Sequence, residues 1–415
     1  MKKLLAILLA AMLAFSCVSA LAEGEKITLK IYAQYADDDT KIPYDYAVEK
    51  LAEAYPNVTL ELIPQAQDDG ATLRGMLVTG LPDIYQTGSN VFSSMRNANR
   101  MMVLNETAEK TGFASKVYET CKEFLYADDG NIYAFPYAGH EYVLLYVNKA
   151  LFEKYELEIP TTFEEMKKCA EVFNANGIVP LALFAQEGWN AAAMFDIVAT
   201  RYNAGGIKAL DNGTAKITDE AYVKAAEVVA DLAASKVFQV GATDTNYDQA
   251  SEMFLSGQAA MFINGQWYIP DAEKRLGEDV IFIPYPSYDE EAFEASKYAY
   301  AGGGSISGYA VDPQSPNAAL AAEVAAFISE KYCEAKVMLR NNPLVAVNTG
   351  LVNENFPKMM QDLVAEMPNM TSTTAFTWGL TNTTWSNAIG VAAQSLLSGQ
   401  FTAQEVIDQL SLELE

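Results

Sequence analysis

The sequence predicts an α/β protein of two lobes, each a mainly parallel sheet flanked by helices, with a cleft between them. Three observations carry that expectation. At 415 residues the chain is too long for one ordinary hydrophobic core, so two are expected. It opens strand, helix, strand in short order, which implies a parallel βαβ unit. Strand-like runs then return after a long helical stretch, so the chain must pass between lobes more than once.

Taken in order, ITLKIYAQY (27–35) reads as the first strand. PYDYAVEKLAEAYP (43–56) follows as a helix, with Ala47, Leu51 and Ala54 on one stripe. NVTLELIP (57–64) alternates Val58, Leu60 and Leu62 as a second strand, and a helix at 71–79 leads through GLPDIY (80–85) into a third. From Thr161 to about Ser256 the texture is helical, beginning at PTTFEE, where a threonine precedes early acids. Strands resume at AAMFIN (259–264) and VIFIPYP (280–286), and SISGYAV (305–311) follows the turn Gly302-Gly303-Gly304. A helix at 317–329 and a helical C-terminal third, broken by PLVAVN and a threonine-rich loop at 371–384, complete the order. Crossings between lobes are expected near 137–141, 299–303 and 344–348. The expected division is 23–138 plus 303–344 for the first lobe and 139–302 plus 345–415 for the second.

The first 22 residues read as a targeting segment. Lys2 and Lys3 precede an apolar run, Leu4 to Phe15, and Ala20-Leu21-Ala22 is a small-residue cleavage site before Glu23. A competing reading makes Cys17 a lipid-modified N-terminus, although Ala14-Phe15-Ser16 fits a lipobox poorly. Both readings export the protein. The whole chain has a formal net charge of −26; removing residues 1–22 takes away two lysines and no acid and leaves −28. Such a balance argues against nucleic acid and anionic membrane, which need basic patches. Cys121, Cys169 and Cys333 are an odd, widely spaced set, neither a disulfide framework nor a zinc site.

Catalytic patterns are missing where they would be needed. The single histidine, His140, lies near no nucleophile elbow and reads as a binding or structural group. Gly302-Gly303-Gly304 lacks phosphate-loop spacing and reads as a hinge or tight turn needing positive φ. Asp244 to Asp248 starts like a calcium loop but offers Gln249 and Leu255 where glycine and glutamate are required. The pairs Asp68-Asp69 and Asp128-Asp129 sit among turn residues and are expected to be solvated. Aromatics in polar or turn-like settings remain: Tyr35, Trp189, Trp267, Trp378 and Trp385. Sugar rings present apolar faces and a hydroxyl rim, so their binding sites offer flat aromatics with acids and amides. In FLSGQAAMFINGQWYIP (254–270), Ala259 to Ile263 read as a buried strand, Asn264-Gly265 as a turn outward, and Trp267 as a wall of the cleft.

The chain resembles the extracellular solute-binding proteins of bacterial ABC importers, the family of the maltodextrin-binding protein. The resemblance rests on AEAYPNVTLEL, GLPDIY, DGNIYAFP, LYVNKALFEKYELEIPTTFEEM, FLSGQAAMFINGQW, the GGGSISGYAVDPQSPNAALAAEVAAFIS segment and SGQFTAQEVIDQL, in the family's order. It implies the two-lobed periplasmic-binding-protein-like fold (type II), no catalysis, no cofactor or metal, and a monomer presenting its loaded form to a permease. It also implies ligand-facing roles for Trp267 as the stacking aromatic and for Glu187 and Trp189 in the same lobe. Gln34, Tyr35 and Asp37 match the loop after the first strand; Thr87, Gly88, Ser89 and Asn90 match the segment after P-D-I-Y; and Gly304 joins the set. Either His140 or Glu141 matches an acid near the first crossover, and either Trp378 or Trp385 a C-terminal stacking aromatic. The expected solute is a mono- or oligosaccharide. A polyamine, a peptide or amino acid, and a secreted glycosidase with paired carboxylates are the alternatives.

Overall fold

The structure, a computed structural model, describes residues 26–414. The targeting segment at 1–22 and Cys17 lie outside the described residues. Ten strands are described: β1 (Ile27–Ala33), β2 (Val58–Pro64), β3 (Ile84–Thr87), β4 (Val143–Asn148), β5 (Val179–Ala182), β6 (Ala259–Gly265), β7 (Val280–Ile283), β8 (Ala299–Tyr300), β9 (Gly308–Val311) and β10 (Ser372–Thr373). They form two four-stranded sheets, in orders β2-β1-β3-β9 and β5-β6-β4-β7, and a short β10-β8 pair. The strands β4 and β5, and the two-residue strands β8 and β10, are missing from the sequence reading. β4 is buried along its whole length, so it carries no alternation to find.

Strand direction explains both sheets. In the first, β1 runs parallel to β2 and β3, and only the edge strand β9 is reversed. In the second, β6 is parallel to β5 but antiparallel to β4, which is also antiparallel to β7. The second sheet is therefore not mainly parallel by pairing, contrary to expectation. It too has three strands running one way and one reversed, but its reversed strand is central and touches two neighbours. β4 is the strand by which the chain first enters this lobe, running away from the crossover, whereas β5, β6 and β7 return toward it.

Two faces of the first sheet feed two cores. Leu29, Ile31 and Ala33 pack with the helices Asp38–Ala54 and Ala318–Leu339, while Tyr32 and Tyr85 point to a smaller cluster with Phe92 and Met95. Alternation along a strand separates these sets. The helix expected from Pro43 begins instead at Asp38, because Asp37 and Thr40 close a reciprocal capping box ahead of it. Pro43 therefore sits inside the helix and cannot bond the Asp39 carbonyl; the Tyr332 hydroxyl approaches that oxygen at 3.5 Å. The second lobe has the largest core, built on β4 to β7 and the helices Gly188–Ala199, Glu220–Ala234 and Thr383–Ser398.

Segments near the three expected crossings lie side by side. Ala138 bridges Val345, Tyr142 bridges Gly302, and the Val143 amide donates to the Ala301 carbonyl at 3.0 Å. Gly302 has φ +90°, and a Cβ there would stand 2.7 Å from the Glu141 carbonyl oxygen, so glycine is required at this turn. Val345, Ala346 and Val347 remain buried with the first core. These three residues lie just past the expected boundary at 344/345 and within the expected crossing at 344–348.

Candidate functional site

A cavity of about 360 Å³ lies between the lobes. Its walls follow from strand direction. Gln34 and Asp37 follow β1, Gln65 to Asp69 follow β2, and Gly88 and Asn90 follow β3; from the second lobe, Glu187 and Trp189 follow β5 and Trp267 follows β6. Loops after the carboxyl ends of strands are where open α/β sheets bind ligands. The two reversed strands contribute their amino ends instead: Glu141 precedes β4 and Ser307 precedes β9. On one side the lobes touch, Thr377 Oγ1 donating to Asp69 Oδ1 at 2.9 Å and Thr383 Oγ1 to the Asn90 carbonyl at 2.7 Å.

One end of the cavity is aromatic. Trp189 lies 5.9 Å from Trp267 and 5.5 Å from Trp378 between ring centroids, and Phe376 stacks on Trp378 at 4.4 Å with 6° between planes. Trp189 is held by Glu187, whose Oε2 accepts its indole N–H at 2.9 Å. Trp267 is half-buried in a short 3-10 turn after β6. The expected outward turn at Asn264-Gly265 is absent: both residues are buried, and Gly265 is the last strand residue, paired with Val143. The glycine has another cause, since a Cβ at Gly265 would fall 2.3 Å from the Trp267 ring. The indole folds back over its own strand end, and only glycine leaves room for it.

The polar walls are acidic. Among the described residues, Asp37, Asp39, Asp68, Asp69, Glu141, Glu187 and Asp248 line the cavity against one base, Lys336, which is ion-paired with Asp39. Burial pushes the carboxyls of Asp37, Asp69 and Glu187 above their ordinary range, with the neighbouring Asp39 adding to the effect at Asp37. Burial raises Glu141 to about 7, opposed by the positive charge of Lys336. Several of these acids stand where helices begin. Asp37 caps the helix Asp38–Ala54, Asp68 accepts from the Thr72 amide at 2.9 Å, and Asp248 lies in the first turn of Tyr247–Leu255. Helix N-termini favour negative charge.

Of the residues expected to face a ligand, Gln34, Asp37, Thr87, Gly88, Asn90, Glu141, Glu187, Trp189, Trp267 and Trp378 line the cavity. Five expected residues do not. The Tyr35 hydroxyl turns to Asp45 at 3.1 Å, its ring edge-on to Tyr44. Ser89 Oγ donates to the Ile306 carbonyl. His140 packs on Phe124 and its Nε2 lies 3.2 Å from the Thr120 carbonyl. Gly304 is confined by the same Phe124, whose ring a Cβ would strike at 1.8 Å. Trp385 is 0% exposed within the second core. Glu141 and Trp378 are thus the members of the two undecided pairs that reach the cavity. The sequence reading missed Asp68 and Asp69, expected to be solvated, together with Asn246, Tyr247, Lys336 and Tyr332. Asn246 and Gln249 form a capping box, so the residues that fail as a calcium loop are a helix start at the cavity wall. Asp128 and Asp129 are surface residues paired with Arg96.

Comparison with known proteins gives concordant results. The family model described as bacterial extracellular solute-binding protein matches residues 37–331. An uncharacterised ABC transporter extracellular-binding protein of Pyrococcus horikoshii is 24% identical over 256 residues, 58% of this chain and 55% of that protein. A "probable sugar-binding periplasmic protein" of Mesorhizobium japonicum is 29% identical over 194 residues, 45% of each chain. The chain thus spans about half the length of the curated relatives it matches. A chain solved in a study of xylan utilisation by Caldanaerobius polysaccharolyticus superposes with a TM-score of 0.83 at 20% identity, covering 94% of this chain and 100% of that one. That likeness establishes the two-lobed fold.

Proposed function

The chain belongs to the bacterial extracellular solute-binding protein family, and from that premise we propose that it is the substrate-binding component of an ABC importer. It captures a mono- or oligosaccharide between its lobes and presents the closed, loaded form to the membrane permease. It works outside the cell as a monomer, delivered there by its N-terminal segment, and turns over no glycoside. The two lobes divide near 138/139, near 302/303 and after Val347.

The observation that carries this reading is the aromatic end of the cavity. Trp189, Trp267 and Trp378 stand beside carboxylates and amides from both lobes, the pairing of flat apolar faces with polar rims that sugar rings need. Gln34, Asp37, Gly88, Asn90, Glu141 and Glu187 are assigned as its polar contacts. The test is thermal unfolding against mono-, di- and trisaccharides. A bound sugar at 100 times its Kd stabilises the native state by about 2.7 kcal/mol, so the right one raises Tm by several degrees. A panel of sugars that leaves Tm unmoved, while spermidine or a peptide raises it, would replace the carbohydrate with another solute. Release of a reducing sugar during incubation would make the protein a glycosidase instead.

A further inference from the structure

The charge of the cavity bears on which sugars can enter. Among the described residues, seven carboxyl side chains face one lysine, that lysine is already ion-paired with Asp39, and no arginine lines the cavity. An anionic sugar would find no free cation to replace the water it loses. Asp37, Asp68 and Asp248 answer the positive ends of helices, as their capping and first-turn positions require. Glu141 does not: it precedes a strand, at the cavity wall. Glu187 stands at the N-cap of the helix Gly188–Ala199 without a side-chain capping bond; it accepts the Trp189 indole N–H and is approached by the Tyr247 amide, and a carboxylate has acceptor capacity beyond these two. Acceptors are also left over elsewhere in the wall, where Gln65 Oε1 and Asp68 Oδ1 are buried atoms with no donor among the described residues.

These groups all call for donors. A sugar hydroxyl both donates and accepts, so it meets part of that demand, whereas an ammonium offers three donors and no acceptor. Glu187 moreover lies against the indole of Trp189, within the aromatic cluster of Trp267, Phe376 and Trp378. Aromatic faces beside a carboxylate are the surroundings an organic cation prefers. Resting on the carbohydrate reading above, we propose that the cavity selects sugars by charge, preferring those with a free amino group, accepting neutral ones, and rejecting uronates and other acidic sugars. Glu187 and Glu141 carry this selectivity, Glu187 at the aromatic end and Glu141 at the crossover.

Calorimetric titration of the full exported chain with glucosamine, glucose and glucuronate, and with their α-1,4 and β-1,4 dimers, tests it. The amino sugar of the linkage that binds should bind about tenfold tighter than its neutral counterpart, and the uronate at least tenfold weaker than the neutral one. The amino-sugar advantage should shrink as salt is raised, since the lost term is electrostatic. Glu187→Gln keeps an acceptor for Trp189, and with Glu141→Gln it should bring the ratio of amino-sugar to neutral-sugar affinity close to one, whatever it costs in the two affinities together. Equal affinities across the three charge classes, or tight binding of the uronate, would overturn the proposal and leave the carbohydrate reading standing. Binding of spermidine without any sugar would overturn the carbohydrate reading and the proposal's sugar frame, while retaining the demand for a cation. Binding by none of these probes would overturn both.

Discussion

Trp267 and Trp385 are the same side chain in opposite circumstances, and their substitutions should separate cleanly. Trp267 is half-buried over Gly265 and faces the cavity. Trp267→Ala should weaken ligand binding by about 2 kcal/mol, roughly thirtyfold in Kd, and change the ligand-free Tm little. Gly265→Ala should mimic it, because the new methyl displaces the indole. Trp385 is fully buried, so Trp385→Ala should cost about 3–5 kcal/mol of stability. Chemical denaturation and titration on the same variants read both effects. A second residue-scale expectation concerns acid. Burial raises Glu141 and Asp196 each to about 7, above the ordinary carboxyl value. The native state therefore holds these protons more tightly than the unfolded chain does. Its stability should fall as pH rises from the unfolded carboxyl pKa toward 7. The ligand-free Tm should be higher at about pH 5 than at about pH 8, and Glu141→Gln or Asp196→Asn should each flatten that slope.

Elements place these residues through close approaches that the sequence hides. The helices Gly188–Ala199 and Thr383–Ser398 meet at two glycines, and a Cβ on Gly390 would stand 3.0 Å from the Gly188 backbone. Trp189 is the next residue. Gly390→Val should push the helix start away, with a stability cost of about 1–3 kcal/mol and a loss of affinity that Val391→Ala, at an exposed position, does not share. The loop carrying Phe376 and Trp378 is anchored from behind. Thr374 Oγ1 donates to the buried Asp196 carboxylate and accepts from the Gly302 amide at 3.0 Å, while the Ile207 amide donates to the other Asp196 oxygen at 2.7 Å. One buried carboxyl thus ties a crossover to the stacking loop. Burial of that group, rather than any motif, is why nothing in the sequence marks it.

Across the whole molecule the lobes are joined by more than the crossovers. Arg340, at the end of the helix Ala318–Leu339, donates to Asp271 in the helix Ile269–Leu276 of the other lobe, with Nη2 2.7 Å from Oδ2. The same guanidinium lies 3.4 Å from Asp39, which also holds Lys336. Asp271 is half-exposed, so the pair should be worth about 1 kcal/mol and be weakened by salt. Asp271→Ala should enlarge the radius of gyration of the ligand-free protein in small-angle scattering and lower affinity a few-fold. An unchanged scattering profile would mean that the pair does not hold the lobes together.

The sequence by itself determined the two-lobed class, the order of β1 to β3 and the parallel pairing of β1 and β2, the strand before Trp267, and the tryptophans Trp189, Trp267 and Trp378 that the cavity brings together. These are local properties: periodicity, turn residues and side-chain type are carried within a few positions of one another. Tertiary structure alone decided which members of that chemistry meet. His140 and Glu141 are neighbours in an extended crossover, where successive side chains point to opposite sides, so one packs on Phe124 and the other enters the cavity. Trp378 stands in a turn before the helix Thr383–Ser398, while Trp385 lies in that helix's first turn on its inward face. Asp68 and Asp69 look solvated in sequence because turn residues usually are; they are drawn into the wall because β2 ends where the other lobe closes over it. The reversal of β4 was equally invisible, since a strand's direction depends on where the chain enters a lobe and not on the residues that form it.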